Sequence, residues 1–256
     1  MTAEPRLSLV IPAYNETENL GGGVLQQVAD YLGGQSYPSE VLIADDGSED
    51  ETACLVEEFA RQHPSFSLLR GEHQGKALTV RRGVLAARGR YVLFADLDLS
   101  TPLTYVEPFL ALLDEGWDIV IASREARGGA RLGAPLLRRL MARGFSLLVR
   151  SLLLPGIHDS QCGFKAFRRE VGQDLFSSLR VFQPEAGVVR GPRVTAFDVE
   201  LLLLAHKKGY TIKEVPVLWH HRETRRVNPL LDSSRMFREV LTIWWNNRRG
   251  VYDRAG

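Results

Sequence analysis

Arg90-Tyr-Val-Leu-Phe-Ala-Asp-Leu-Asp-Leu-Ser-Thr-Pro102 is a buried β-run, Tyr91 to Ala95, that delivers two carboxylates one residue apart, Asp96 and Asp98. Ser100 or Thr101, followed by Pro102, reads as the cap and first residue of a helix. Carboxylates at i and i+2 at a strand's mouth can both turn toward one hard cation and the diphosphate it carries. Such a cation keeps oxygen ligands and needs only one or two protein carboxylates beside the substrate phosphates. An isolated Asp-x-Asp is equally a polar strand end, so its meaning depends on its surroundings.

Upstream, Leu7 to Pro12 reads as a first strand ending in the loop Ala13-Tyr-Asn-Glu16. Asn15 with Glu18 has capping-box spacing for a helix toward Tyr31, closed by Gly33-Gly34. Val41 to Ala44 is a second strand ending in Asp45-Asp-Gly-Ser48, where Ser48 and Glu51 again fit a capping box for a helix to Ala60. Phe66 to Leu69 is a third strand, and Gly75-Lys76 opens a helix to Ala87. After the Asp96 strand come a helix near Leu103 to Leu113 and a strand from Asp118 to Ala122. This alternation predicts an open, mostly parallel α/β sheet flanked by helices, whose ligands bind outside the strands' carboxyl ends. The loops 13–16, 45–48, 96–98 and 123–124 all lie at such ends and should share one crevice. No G-x-G-x-x-G follows the first strand, which argues against a dinucleotide-binding dehydrogenase.

At 256 residues and 45% hydrophobic, the chain can bury one large core, and residues 1–256 read as a single domain. A net charge of +1 gives no general attraction to nucleic acid. Cys54 and Cys162 form no disulfide framework or metal set, so a reducing cytosol is expected, with Cys162 a buried small side chain rather than a nucleophile. No signal-peptide pattern opens the chain, and no apolar run reaches about 18 residues.

The second half departs from the alternation. Pro135 to Leu154 predicts an amphipathic helix with Arg138, Arg139, Arg143 and Arg150 among its leucines. It suits either a membrane interface or ordinary packing on the sheet. Asp159-Ser-Gln-Cys-Gly-Phe-Lys165 follows as a polar turn into an apolar stretch. Gln183 to Pro192 reads as a mobile loop, a candidate lid. Asp198 and Glu200 open a very apolar helix, either as site residues or as acids facing the helix dipole. Thr211 to Trp219 is a late strand in which Pro216 suits an edge or bulge. The adjacent His220 and His221 point to opposite faces of a strand and are not a metal pair. The basic loop His220 to Val227 leads to a last helix, about Asp232 to Trp245.

Pro12-Ala-Tyr-Asn-Glu16, Asp45-Asp-Gly-Ser48, Gly75-Lys76, Asp96-Leu-Asp98 with Ser-Thr-Pro102, Ser123-Arg124 and Asp159 to Lys165 occur in an order that resembles the inverting family-2 glycosyltransferases of GT-A fold. Within them the chain is most similar to the dolichyl- or polyprenyl-phosphate sugar synthases, over residues 7 to about 245. Phe197-Asp-Val-Glu-Leu201, Glu214 to Trp219 and Arg226 to Met236 resemble their glucosyl branch. The resemblance implies a nucleotide-sugar half, about 1–124, and an acceptor half, about 125–256. It implies that Pro12, Tyr14, Glu16 and Asp45 line the nucleoside pocket with Asp46 close by. Asp98 is then the direct Mg²⁺ or Mn²⁺ ligand, and Asp96 serves the ribose, the metal or both. Lys76 and Arg124 become diphosphate contacts, while Arg138, with Arg131 or Arg124, holds the acceptor phosphate. Asp159 is a base or an acceptor-positioning group, Gln161 supports the donor sugar or the acceptor phosphate, and Asp198 stands near the substrate. Leu97 replaces the usual alanine and must find packing room.

The expected activity is metal-dependent transfer of a hexose, glucose from UDP-glucose, to a polyprenyl or dolichyl phosphate. The expected place is peripheral, at the cytoplasmic face of a membrane, reached through the arginine-rich helix and the Trp244-Trp245 to Arg249 segment or through a separate membrane partner. GDP-mannose as donor, a soluble acceptor, and an inactive nucleotide-binding protein are the competing readings. The intact Asp96 and Asp98 argue against the last.

Overall fold

The computed structural model describes residues 4–183, 195–222 and 229–253. All of the candidate lid except Gln183, and the basic stretch that includes Arg225 and Arg226, lie outside the described residues. A seven-stranded sheet forms the centre. Its strands are β1 (Leu7–Ala13), β2 (Ser39–Asp45), β3 (Phe66–Arg70), β4 (Tyr91–Ala95), β5 (Ile119–Ser123), β7 (Phe164–Arg168) and β8 (Ile212–Pro216), in the order β3-β2-β1-β4-β7-β5-β8. A small parallel ribbon pairs β6 (Ala130–Leu132) with β9 (Leu218–His220). The helices are α1 (Thr17–Gly21), α2 (Val24–Gly33), α3 (Thr52–Gln62), α4 (Lys76–Ala86), α5 (Val106–Asp114), α6 (Leu136–Leu152), α7 (Arg169–Ser178), α8 (Phe197–Lys207) and α9 (Pro229–Arg248).

The central strands are apolar on both faces because both faces are covered. Alternate side chains of one strand enter different layers. Leu9 and Ile11 pack with Val28, Val56 and Phe109 from α2, α3 and α5. Val10, between them, packs on the other side with Val80, Val84, Val171 and Leu201 from α4, α7 and α8. Leu97 is buried in the first of these layers, so the residue between the two carboxylates has its packing room.

The sheet is mostly parallel, as expected, with one exception that matters for the site. β7 runs antiparallel to both β4 and β5, with Phe164 opposite Ala95 and Lys165 opposite both Phe94 and Ile121. An antiparallel strand brings its amino end to where its neighbours present their carboxyl ends. The turn from Asp159 to Gly163 is thereby delivered beside Asp96 and Arg124. The crevice lies where β1 is flanked by β2 on one side and β4 on the other, the switch point at which open α/β sheets take ligands.

Several expected caps are corrected. The first helix is broken at Gly22-Gly23 into α1 and α2, and Asn15 does not cap it. Asn15, at φ 52°, donates its backbone N–H to Ser48 Oγ at 2.9 Å and accepts the Glu49 N–H at 2.9 Å on Oδ1. Ser48 is therefore engaged with the neighbouring loop of the same wall. The α3 start is served instead by Asp50, which accepts the Thr52 N–H at 3.0 Å and the Thr17 N–H at 3.2 Å. These bonds hold the Asp50 carboxyl down at about 2, although burial works in the opposite sense. Pro102 does not open a helix either. A 3₁₀ turn at Leu103–Tyr105 intervenes, and α5 begins at Val106. The late strand divides at Val217, whose N–H binds the Ser123 carbonyl of β5 while its carbonyl accepts from Ala130, so Pro216 ends an edge strand.

Candidate active site

The loops after β1 and β2 form one wall. Asp45, the last residue of β2, is buried; its Oδ2 accepts the Ser48 N–H at 3.2 Å, while Oδ1 has no hydrogen-bond partner among the described residues. A buried carboxylate oxygen without a donor is costly, and a ligand N–H or hydroxyl would relieve that cost. Pro12 lies in β1 opposite Ala44, one pair before Asp45. Tyr14 stacks on His73 with ring centroids 4.0 Å apart. Glu16 accepts from Asn19 at 2.5 Å and donates its N–H to Thr52 Oγ1 at 2.6 Å.

Asp46 takes a different part from the one expected. Its carboxylate accepts the backbone N–H groups of Gln74 and Gly75, the Thr79 hydroxyl at 2.7 Å and a 2.7 Å contact from His73 Nδ1. It fixes the amino end of α4, and with it Lys76, rather than facing a nucleoside.

Lys76 makes an ion pair with Asp96. Burial opposes charge on Lys76, but Asp96, Asp198 and Asp98 raise its pKa. Asp98 accepts the Ser100 N–H at 2.9 Å, and burial, then Asp96, push its carboxyl upward. Two mutually repelling carboxylates on hard oxygen donors fit a divalent cation. No group of three or more acidic, histidine or cysteine side chains that could hold a metal occurs among the described residues. A cation that arrives with a diphosphate does not need one.

Two residues of the Asp159–Lys165 stretch to which the sequence assigned no role shape this wall. Gly163 approaches so closely that a Cβ there would stand 2.1 Å from Asp96 Oδ2, and its carbonyl accepts the Asp96 N–H at 3.1 Å. Gly163→Ala should therefore displace Asp96 and reduce activity by tenfold or more, on the order expected for a misplacement of about 1 Å. A variant as active as wild type would show that Asp96 need not hold this position. Lys165 is fully buried, bonded to Asp198 Oδ1 at 2.5 Å and to the Cys162 carbonyl at 2.6 Å, with the Phe94 ring 5.3 Å away.

Asp198 and Glu200 are thus not solvent-facing dipole acids. Asp198 pairs with Lys165. Glu200 accepts the Arg180 and Val181 N–H groups and the Tyr252 hydroxyl. Cys162 is buried, with its thiol pushed up by burial. His220 is exposed and donates its N–H to the Ser100 carbonyl at 2.8 Å, and His221 donates its own to Leu132.

The opposite wall centres on Arg124 at the end of β5. Its Nε and Nη2 form a fork on Asp159 at 2.6 and 2.9 Å, and its backbone N–H adds a third bond at 2.9 Å. Arg131 of β6 reaches the same carboxylate at 3.8 Å and binds Glu125 at 2.8 Å, while Arg143 of α6 reaches Glu125 at 3.3 Å. Although burial works the other way, Arg124 and Arg131 hold the Asp159 carboxyl well below the usual carboxylate range. Burial lowers the Arg124 pKa, but Asp159 outweighs it and the net shift is upward. Glu214 of β8 supports the turn by accepting the Asp159 N–H at 2.8 Å, and the Gln161 N–H returns to Asp159 at 3.1 Å. Trp219 of β9 lies 5.6 Å from the Arg124 guanidinium.

Arg138 is exposed in the first turn of α6 and does not join this cluster by any ion pair among the described residues. It shares a helical face with Phe145, Val149 and Leu152, which pack inward. Lys165 and Trp219 entered the sequence reading only as ends of matching stretches, without a role, and His73 did not enter it. A lysine inside an apolar strand is a signal only once its burial is known, and the aromatic pair needs a tertiary contact.

A family model described as glycosyl transferase family 2 matches residues 8–176. A dolichyl-phosphate beta-glucosyltransferase of Dictyostelium discoideum is 32% identical, over 96% of this chain and 76% of the relative. Another of the same name, from Drosophila melanogaster, is 33% identical over 93% and 74%. Among solved structures, mannosyl-3-phosphoglycerate synthase from Rubrobacter xylanophilus superposes with a TM-score of 0.63 at 23% identity, covering 96% of this chain and 74% of that one. Glucosyl-3-phosphoglycerate synthase from Mycobacterium tuberculosis, in complex with Mn²⁺, UDP and glucosyl-3-phosphoglycerate, superposes with a TM-score of 0.61 at 23% identity over 96% and 80%.

Proposed function

The chain belongs to glycosyltransferase family 2, and from that premise we propose that it transfers glucose from UDP-glucose to the phosphate of a polyprenyl or dolichyl carrier, inverting the anomeric centre. The shared name of the curated relatives, dolichyl-phosphate beta-glucosyltransferase, carries the reading of sugar and acceptor. The GT-A architecture supplies the donor crevice.

UDP-glucose carries glucose in the α configuration, so a β-linked product requires attack from the opposite face. The nucleophile is an oxygen of the acceptor phosphate, mostly dianionic at neutral pH because its second pKa is about 6. It needs no strong base. It needs cations to hold it, and Arg131 takes that role, with Arg124 between acceptor and diphosphate. Asp159 then acts by orienting Arg124; a carboxyl held this low is a poor proton acceptor. As the bond to the anomeric carbon breaks, its electron pair leaves with the diphosphate, beside Lys76. Mg²⁺ or Mn²⁺ held by Asp98, with Asp96 adjoining, would offset the charge developing there. Asp45, with Pro12, Tyr14 and Glu16, holds the nucleoside. Gln161 serves the sugar or the acceptor phosphate, and Asp198 keeps Lys76 in its field.

The test is to incubate purified protein and Mn²⁺ with UDP-glucose, other UDP-sugars or GDP-mannose, with and without a polyprenyl phosphate. Lipid-dependent product from UDP-glucose is expected. Product from GDP-mannose alone would overturn the donor, and transfer to 3-phosphoglycerate in place of the lipid would overturn the acceptor. The rate at subsaturating acceptor should fall about tenfold per pH unit below about pH 6, as the phosphate gains its second proton. A limb that disappears in Asp159→Asn would instead mark Asp159 as the base. The expected setting is peripheral, at the cytoplasmic face of a membrane. No helix among the described residues is long and apolar enough to cross one.

A further inference from the structure

The large apolar side chains exposed among the described residues are not scattered. Except for Leu85, they all sit on β6, α6, β9 and α9. On α6, Leu136 (69% exposed), Leu140 (55%) and Leu147 (68%) follow helical spacing along one outer stripe. On α9, Phe237, Leu241 and Trp245 (52% exposed) repeat every four residues along another. α6 packs beside α9, and the two bury their other faces in one apolar layer, through Val149 and through Val240 and Ile243, so both stripes face away from it. In the ribbon, Arg131 and Trp219 form the register pair that faces Asp159 and Arg124. Leu132 and Leu218, at alternate positions, are exposed. The apolar region therefore borders the proposed acceptor site.

Among the described side chains of α6 and α9, the exposed charge is of one sign. Beside its apolar stripe α6 carries Arg139, Arg143 and Arg150, and the helix has no acidic residue. Arg238 and Arg248 on α9, and Arg249 just after it, are exposed, whereas Glu239 is buried and accepts the Ala196 N–H at 2.7 Å. Arg248 and Arg249 lie over Trp244 and Trp245 at 5.0 and 5.1 Å, an arrangement that suits the boundary between headgroups and acyl chains.

We propose that the outer face of α6, α9 and the β6–β9 ribbon is one docking platform for an anionic phospholipid surface. Apolar side chains enter the acyl boundary and arginines meet headgroup phosphates. A second copy of the chain is a poorer occupant, because two such faces would set like charges against each other. The proposal deepens the lipid-acceptor reading and rests on it for its purpose, but its physical test does not need the reaction.

The full chain is sedimented with vesicles of phosphatidylcholine alone and with the same vesicles containing phosphatidylglycerol, without donor or acceptor. Binding to the anionic vesicles is expected, weakening as salt rises. Leu136→Ser with Leu140→Ser, and separately Phe237→Ser with Trp245→Ser, should each weaken it roughly tenfold or more. Both variants should keep wild-type circular dichroism and transfer to a short, water-soluble prenyl phosphate. Failure of the wild type to bind, or equal binding by the folded variants, overturns the platform. So does a dimer in solution that the same substitutions dissolve. If no acceptor is glycosylated while vesicle binding behaves as expected, the proposed function fails and the platform stands.

Discussion

Asp98→Asn should lower glycosyl transfer by on the order of a thousandfold while leaving the melting temperature unchanged or raised. Loss of several kcal/mol of charge compensation on the leaving diphosphate converts to rate at about 1.4 kcal/mol per factor of ten. The stability half follows from the same geometry. Burial and the neighbouring Asp96 push the Asp98 carboxyl upward, so its charged form is disfavoured in the folded chain. A neutral amide of the same shape removes that repulsion and can still accept from Ser100, now at 2.9 Å from Oδ1. Loss of activity with retained or increased stability marks a site kept for function. Titration of Mn²⁺ in the presence of UDP gives a second readout, in which the variant should bind the ion at least tenfold more weakly. Undiminished Mn²⁺ affinity would remove Asp98 as the ligand.

Lys165→Met should cost about 3–5 kcal/mol of stability, because it leaves Asp198 buried without its cation. For a chain of this length that is a fall of roughly 10 °C in Tm. Burial already pushes the Asp198 carboxyl up and Lys165 opposes that shift, so removing the lysine drives Asp198 toward its neutral form. Combining Lys165→Met with Asp198→Leu replaces both charges by apolar side chains and should restore most of the lost stability. Activity should not return with it. Lys76 would lose the field of Asp198, and the Cys162 carbonyl would lose its donor in the turn that places Gly163 against Asp96. A stable and fully active double variant would reduce the pair to packing.

The sequence reading placed the strand ends better than the local geometry around them. The strand ends at Asp45, Asp96 and Ser123 are legible because apolar runs stop there at polar residues, and an open α/β sheet aligns such ends by its own topology. The reversal of β7 is not legible. The stretch after Asp159 reads only as a polar turn into an apolar segment, and its pairing with Tyr91–Ala95 is what sets its direction and brings the Asp159 turn to the carboxyl end of β4. Capping boxes at Asn15–Glu18 and Ser48–Glu51 have the right spacing, but the two loops bonded to each other instead. Of the adjacent Asp45 and Asp46, local sequence cannot say which faces a ligand. The distinction arises because His73, Gln74, Gly75 and Thr79 converge on Asp46 from the start of α4. Arg138, expected in the site by resemblance, stands on α6 outside the ion-paired cluster of Arg124, Asp159 and Arg131.

The most direct test of inverting glucosyl transfer is the anomeric configuration of the lipid-linked product. UDP-α-glucose, dolichyl phosphate, Mn²⁺ and the purified chain are allowed to react, and the coupling constants of the anomeric proton and phosphorus are read by NMR. A β-glucosyl phosphate is the predicted result. An α-linked product would contradict single attack from the face opposite the diphosphate.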